Sequence, residues 1–225
     1  MAILEDAVLG VHIAAGFLAL AAGAGALVTE KGGRRHRRLG RTYVGGMAVV
    51  SATALGLLAL EQSVGRIVLG LIAVFSFYFA FSGYRVLSRK RPRDAPERID
   101  WAAAGLLAAA GVGMIGLGAT FVLDGVDFGV VLLVFGGLAF VFFVSDVRQF
   151  RATETPPRTW FFEHVKRMGG AYIATVTAFA VVNATFLPTV ARWLVPTVVG
   201  TVAIRLATRR YQRQFASGGQ PADAD

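Results

Sequence analysis

The chain of 225 residues contains no cysteine and few charged residues. Without cysteine, disulfides, thiolate nucleophiles and cysteine-ligated zinc or iron–sulfur sites are excluded. Charged residues make up 16% of the chain, whereas a soluble domain holds ~25%. The only lysines are Lys31, Lys90 and Lys166, all in polar segments between apolar stretches. A membrane-buried Schiff base of the retinal type is therefore excluded as well.

Seven apolar stretches fill most of the sequence, which is 55% hydrophobic. Apolar runs of ~18 residues or more that are nearly free of charge are typical of transmembrane helices. The pattern predicts an all-α, polytopic transmembrane bundle in one domain, residues 1–215, followed by a disordered cytoplasmic tail, residues 216–225. The segment 159–166 is predicted to be a short interfacial helix. The predicted spans are residues 7–28, 42–60, 66–87, 101–123, 128–144, 168–186 and 190–207.

The basic residues are distributed very unevenly between the loops. All 23 Lys and Arg residues except Arg66 and Arg192 lie in every second loop, at the span ends beside it, or in the C-terminal tail. Cytoplasmic loops are enriched in Lys and Arg, so we expect the N-terminus outside and the C-terminus inside, in a prokaryotic cytoplasmic membrane. The net charge of +9 then reflects this asymmetry and contacts with anionic headgroups of membrane lipids rather than binding to nucleic acid.

His12 lies within the first span, on the same helical face as Gly16, Ala19 and Gly23. Such small residues let helices pack closely, so His12 is expected to point into the bundle. An ionisable residue inside a membrane is a functional candidate by default. The alternative is a neutral histidine that hydrogen-bonds to a backbone carbonyl or to a hydroxyl on a neighbouring span.

The other two histidines, His36 and His164, both lie at the inner membrane boundary. Two imidazoles from facing helices are the usual ligands of a b-type haem in a helical bundle. Tyr43 and Tyr172 lie at a similar depth and offer hydrogen bonds, and basic residues such as Arg38 could pair with the haem propionates. The alternatives are a site for an anionic small molecule, or two interfacial histidines that bond locally or contact phospholipid.

The first and third basic loops end alike, with a His, a basic residue two places on, then Gly and Tyr, over residues 36–43 and 164–172. If this echo is a repeat, it relates spans one to three to spans five to seven, an arrangement found in transporters. A transporter with a midplane cavity lined by hydroxyls and His12 is therefore one alternative function, and a packing or scaffold protein without a ligand is another. No residues are spaced as catalytic or metal sites, so an enzyme is not favoured.

The segment 36–43, which reads His-Arg-Arg-Leu-Gly-Arg-Thr-Tyr after a Gly/Ala-rich first span with His12 near its start, resembles the signature of a family of prokaryotic membrane proteins. That family is domain of unknown function 2306. Tyr84-Arg85 and the segment 164–168 are also similar to its pattern, although spans four and five precede the second His here. The resemblance implies a multi-pass membrane fold and brings no activity, substrate or cofactor. The leading hypothesis is a binding or redox membrane protein with a site at His36 and His164; substrate and oligomeric state are not indicated.

Overall fold

The computed structural model describes residues 2–217, and within this part the chain forms seven α-helices and no strand. A short 3₁₀ turn, Val86–Ser88, extends the third helix. The all-α fold class is confirmed. The helices are α1 Ala2–Val28, α2 Arg34–Leu60, α3 Val64–Arg85, α4 Arg98–Leu123, α5 Phe128–Arg151, α6 Thr159–Asn183 and α7 Thr189–Ala216.

The helices extend further into the basic loops than the apolar stretches predict. α2 begins at Arg34 rather than near residue 42, and α6 begins at Thr159 rather than near residue 168. Leu, Arg, Lys and Glu favour helix, so the helical backbone continues where the sequence stops being apolar. The segment 159–166 is therefore the start of α6 and not a separate interfacial helix. α7 continues through Ala216, and residues 218–225 of the predicted tail lie outside the described residues.

Six of the seven helices are long and apolar enough to cross a membrane, and α6 is the exception. The apolar part of α6, residues 168–183, spans ~24 Å at ~1.5 Å per residue, less than the ~30 Å of a hydrocarbon core. Large apolar side chains cover the outside of the bundle, among them Phe17 and Val198, 58% and 63% exposed. A polytopic membrane bundle is confirmed, whereas the seventh crossing and the orientation stay predictions.

Small residues bring two helix pairs into close contact, α1 with α2 and α4 with α5. A Cβ on Gly46 of α2 would lie 3.2 Å from the Cβ of Ala19 in α1. A Cβ on Gly118 of α4 would lie 3.0 Å from the carbonyl oxygen of Gly129 in α5. The Gly- and Ala-rich faces therefore serve tight helix packing, as small residues in membranes commonly do.

Four helices form a closed ring in the order α1, α2, α3, α6, each packed against the next. α2 and α6 consequently face each other across the inside of the ring. α4 packs on α3, α5 packs mainly on α4, and α7 packs mainly on α6. A repeat of helices one to three in helices five to seven would pack α5 on α6 as α1 packs on α2. Instead, α5 packs mainly on α4, the helix before it. The helix packing does not repeat in the way that the sequence echo predicts.

Candidate functional site

His36 and His164 meet at the end of the bundle that carries the basic loops, called the inner end below. His36 lies in the first turn of α2 and His164 in the second turn of α6. Their ring centroids are 6.4 Å apart, and the ring planes are inclined at 74°. The two helices face each other across the four-helix ring, so the rings approach through its interior. We call these two residues the histidine pair.

Each imidazole is anchored by its Nδ1 to the carboxyl end of a neighbouring helix. Nδ1 of His36 donates to the carbonyl oxygen of Ala26 in α1 at 3.0 Å, and Nδ1 of His164 donates to that of Gly83 in α3 at 2.7 Å. A carbonyl oxygen only accepts, so both Nδ1 atoms carry a proton. In a neutral ring the lone pair then lies on Nε2, the tautomer that metal-ligating histidines commonly adopt.

The surroundings favour the neutral form of His164. Burial lowers the pKa of His164, the hydrogen bond to Gly83 opposes that shift, and the nearby His36 and Lys90 lower the pKa further. Adding a proton to either member of the histidine pair therefore makes it harder to protonate the other. A ring that stays neutral at physiological pH keeps its lone pair for a ligand.

Two tyrosines form a second layer two turns deeper on the same helices. The rings of Tyr43 in α2 and Tyr172 in α6 have centroids 6.3 Å apart. The Tyr43 hydroxyl lies 3.0 Å from the Oγ1 of Thr175, and the Tyr172 hydroxyl donates to the carbonyl of Leu20 at 3.4 Å. A Cβ on Gly23 of α1 would lie 2.5 Å from the Tyr172 ring, so this layer depends on a glycine.

Between the two layers, one turn after each histidine, Leu39 of α2 and Met168 of α6 pack against glycines of the neighbouring helices. A Cβ on Gly25 of α1 would lie 3.0 Å from Cδ1 of Leu39, and a Cβ on Gly83 of α3 would lie 2.9 Å from Sδ of Met168. Both side chains are flexible and lie against glycines. A flat ligand between the two rings would therefore meet two flexible side chains that share the helix faces of the histidines.

The structure does not bring every predicted site residue to the pair. Arg38 is exposed and follows His36 by two residues, which places it ~200° further around α2, because successive residues are separated by ~100°. Arg38 therefore lies at the rim of the inner end and not beside the His36 ring.

His12 lies near the opposite end of the bundle and binds a hydroxyl. Its Nδ1 is 2.9 Å from the Oγ1 of Thr53 in α2, which itself donates to the carbonyl of Val49 at 2.7 Å. The Thr53 proton is used in that bond, so Nδ1 of His12 donates to Thr53. The structure therefore shows the second of the two predicted roles of His12, a histidine that hydrogen-bonds to a hydroxyl on a neighbouring span.

A buried charge cluster close to the pair was missed by the sequence analysis. Asp146 of α5 is fully buried, and Arg167 of α6, three residues after His164, is 1% exposed. The Arg167 guanidinium donates two hydrogen bonds to the Asp146 carboxylate, one at 3.1 Å, and a third to Glu163 at 3.3 Å. The Tyr78 hydroxyl of α3 also donates to Asp146. Charges at the ends of apolar stretches resemble interfacial residues, so the sequence alone carries no signal of this burial.

A second ion pair joins α3 to α4 at the same end. Arg85 donates two hydrogen bonds of 3.0 Å each to the two carboxylate oxygens of Asp100. Nη1 of Arg89 lies 3.5 Å from the same carboxylate and its guanidinium lies 5.0 Å from the ring centroid of Phe150. Two arginine–carboxylate pairs therefore tie four helices together around the histidine pair, α3 to α4 and α5 to α6.

The described part of the chain contains no group of three or more His, Cys, Asp or Glu side chains placed to hold a metal ion. The histidine pair therefore offers two protein ligands, as in a haem with two axial imidazoles. A bare zinc ion, which prefers four ligands, would need others from outside the protein.

The comparisons with known proteins bear on the first five helices. The family model described as a predicted membrane protein, DUF2306, matches residues 9–147. His36 and Tyr43 fall inside the matched range, whereas His164 and Tyr172 fall outside it. No curated protein and no solved structure matches the chain. Because the match covers more than half of the chain, the protein belongs to the DUF2306 family of predicted membrane proteins.

Proposed function

We propose that this protein is a membrane-embedded haem protein that holds the iron between His36 and His164 at the inner end of the bundle. A haem with two axial imidazoles supplies one-electron redox chemistry. The two side chains would hold and orient the cofactor, and the surrounding helices would exclude water from it. The basic inner end suits the cytoplasmic face of a prokaryotic membrane, with the anionic headgroups of membrane lipids as its neighbours.

The observation that carries the proposal is the separation of the two rings. With metal–nitrogen bonds of ~2 Å and ring nitrogens ~1.2 Å from the ring centre, two imidazoles on opposite sides of one metal have centroids ~6.4 Å apart. The centroids of His36 and His164 are 6.4 Å apart. The distance between the ring centres therefore matches two imidazoles that would hold one iron, and it also lies within the range of an ordinary edge-to-face contact.

The placement and protonation of the pair add support. Cofactor sites in helical bundles are built from side chains on facing helices, and α2 and α6 face each other across the ring. The backbone carbonyls of Ala26 and Gly83 direct the protons to Nδ1 in both rings. Such outer-shell hydrogen bonds fix the orientation of a ligating histidine and make it a better ligand.

A haem at the histidine pair would need space and cationic partners. Leu39 and Met168 lie against Gly25 and Gly83, so these two flexible side chains would have to rotate to admit it. Lys90 lies close enough to His164 to lower its pKa. This lysine is a cationic partner for the carboxylates of a haem, whereas Arg38 lies too far around α2 to serve as one.

The test is the visible spectrum of the protein purified in detergent after expression with added haem precursor, recorded oxidised and reduced. We expect a Soret band and a reduced-minus-oxidised difference in the wild type. We expect both to be lost in His36→Ala and His164→Ala. His12→Ala is the matched control, because His12 binds Thr53 near the opposite end of the bundle, and it should keep the spectrum.

The absence of a Soret band from a haem-supplied, folded wild type would contradict the proposal. Stabilisation by an added anionic small molecule, lost in both inner histidine variants, would then favour the anion-binding alternative. No effect of either ligand would leave the packing or scaffold interpretation. The non-repeating packing of α1 and α5 already argues against a transporter built from two three-helix repeats.

A further inference from the structure

A second polar site lies at the inner end, away from the histidine pair. A cavity of about 20 Å³ opens between the end of α3, the end of α5 and the start of α6. Such a volume admits a single water-sized group, because one water needs ~10–15 Å³ measured in this way. Its polar lining comes mainly from Arg89, Gln149, Thr155 and Thr159, with Trp160 beside them.

Two polar atoms of this lining are buried and lack a hydrogen-bond partner among the described residues. They are a donor, Nη1 of Arg89, and an acceptor, Oε1 of Gln149. The Arg89 side chain is only 11% exposed, and its nearest carboxylate oxygen, on Asp100, is 3.5 Å away. Native proteins seldom leave buried polar groups unpaired, so each such group calls for an unseen partner.

The charge around Arg89 is poorly balanced by the protein itself. Asp100 is already bound by both arms of Arg85. Burial lowers the pKa of Arg89; the nearby Asp100 and Asp146 oppose that shift, and the positive charges of Arg167 and Arg85 add to it. Asp94 also lines the cavity and its Oδ2 accepts the backbone N–H of Arg91 at 2.9 Å, but among the described residues no ion pair joins it to Arg89.

The cavity is framed by two loops, residues 89–97 before α4 and residues 152–158 before α6, and polar contacts hold these loops together. The backbone N–H of Thr155 donates to the carbonyl of Pro92 at 3.0 Å, and Arg93 pairs with Glu154 at 3.0 Å. The ammonium group of Lys90 lies 4.8 Å from the ring centroid of Trp160. Trp at a membrane boundary with basic residues nearby is typical of the headgroup region.

We infer that this cavity binds the phosphate group of an ester that also carries a hydroxyl or ammonium donor, such as an inner-leaflet phospholipid headgroup. A phosphate oxygen would enter the cavity and accept from Nη1 of Arg89, since guanidinium groups bind phosphate through directed N–H bonds. The adjacent donor would satisfy Oε1 of Gln149. The remainder of the headgroup would lie outside the cavity, beside Lys90. Of these residues only Lys90 also lies near His164; Arg89 and Gln149, which carry the inference, do not belong to the proposed haem site.

The test is thermal unfolding of the purified protein in detergent, with phosphatidylglycerol, phosphatidylcholine, inorganic phosphate or glycerol phosphate added. We expect phosphatidylglycerol to raise the Tm of the wild type by several degrees more than phosphatidylcholine does. A comparable rise with glycerol phosphate or inorganic phosphate would identify a soluble phosphate as the ligand of the same site. In Arg89→Gln the rise should disappear, whereas Arg91→Gln, in the same loop but outside the cavity, should keep it.

A second variant keeps the test decisive if Arg89→Gln does not fold. Gln149→Glu places a carboxylate beside Arg89, so it should raise the Tm without lipid and abolish the additional rise with phosphatidylglycerol. Equal rises with phosphatidylglycerol and phosphatidylcholine in the wild type would overturn the inference. So would a full phosphatidylglycerol effect in Arg89→Gln or in Gln149→Glu.

Discussion

At the scale of single residues, the inner end is governed by polar groups that have been removed from water. Asp146 and Arg167 are almost completely buried, and each is compensated by hydrogen bonds to the other and to Tyr78 or Glu163. Removing one member of a buried ion pair leaves the other charge without compensation, which costs far more than the pair itself contributes. The cluster therefore holds α6, and with it His164, in a fixed position.

Asp146→Asn is expected to destabilise the protein by up to ~3–5 kcal/mol, because the buried Arg167 then keeps only Glu163, at 3.3 Å, as a charged partner. The double variant Asp146→Leu with Arg167→Met should recover much of that loss, because the Glu163 that remains still pairs with Lys166. Thermal or denaturant unfolding in detergent measures both. A loss below ~1 kcal/mol in the single variant would show that the cluster is open to water.

The neutral state of His164 predicts how stability depends on pH. Its pKa in the folded protein is lowered below the ordinary 6.5, so the unfolded chain binds more protons between these two values. The contribution of His164 to stability is therefore complete above pH 6.5 and is lost as the pH falls through the folded pKa.

His164→Asn keeps a donor for the carbonyl of Gly83 but does not titrate, so the Tm of this variant should fall less than that of the wild type between neutral and mildly acidic pH. The measurement is made on haem-free protein. Identical pH profiles of the two proteins would contradict a buried, neutral His164.

At the scale of helices, glycines set the distance between neighbours. Gly136 and Gly137 are adjacent in α5 but differ in their surroundings. A Cβ on Gly136 would lie 2.6 Å from the Ile115 side chain and 3.0 Å from the carbonyl oxygen of Gly111 in α4, whereas a Cβ on Gly137 would meet nothing within 4 Å. One face of α5 therefore carries the contact with α4.

Gly136→Ala is expected to cost ~1–3 kcal/mol, because extra atoms in a closely packed contact force the helices apart. Gly137→Ala is the control, and it should be neutral or stabilising by up to ~1 kcal/mol because alanine favours helix. Unfolding in detergent compares the two. Equal effects would mean that α4 and α5 are not packed through Gly136.

The sequence is sufficient to predict the helices but not the order in which they surround one another. The charge of the loops correctly predicted that His36 and His164 lie at the same end of the bundle. The small-residue face of α1 correctly predicted that α1 packs closely against another helix. The contact between α2 and α6 depends on a ring of four helices that neither loops nor periodicity reveal. The burial of Asp146 and Arg167 escaped prediction for the same reason, since a charge at a helix end looks interfacial until its neighbours are known.

At the scale of the whole molecule, the basic loops and the histidine pair lie at the same end of the bundle, the inner end. The two basic residues outside the inner loops are both engaged at the other end. Arg66 pairs with Glu5 and, at 2.9 Å, with Glu61, and Arg192 donates to the carbonyl of Val181 at 3.0 Å. The basic charge that is available to lipids therefore concentrates at one face.

The cysteine-free chain allows a direct test of seven crossings. Thr153→Cys lies before α6 and Thr185→Cys lies after it, both in exposed loop positions. In intact cells, a membrane-impermeant maleimide should label Thr185→Cys but not Thr153→Cys, which should react only after permeabilisation. If α6 does not cross, both positions lie inside, and Thr185→Cys stays unlabelled until the cells are opened.

The central claim, one iron held by both inner histidines, is tested most directly by the spin state of the bound haem. We predict a low-spin, six-coordinate ferric haem in the wild type, measured by electron paramagnetic resonance, and one haem per chain. His36→Ala and His164→Ala should each lose the haem or shift it to the high-spin form. A low-spin haem retained unchanged in either variant would contradict the account, because the iron would then lie elsewhere.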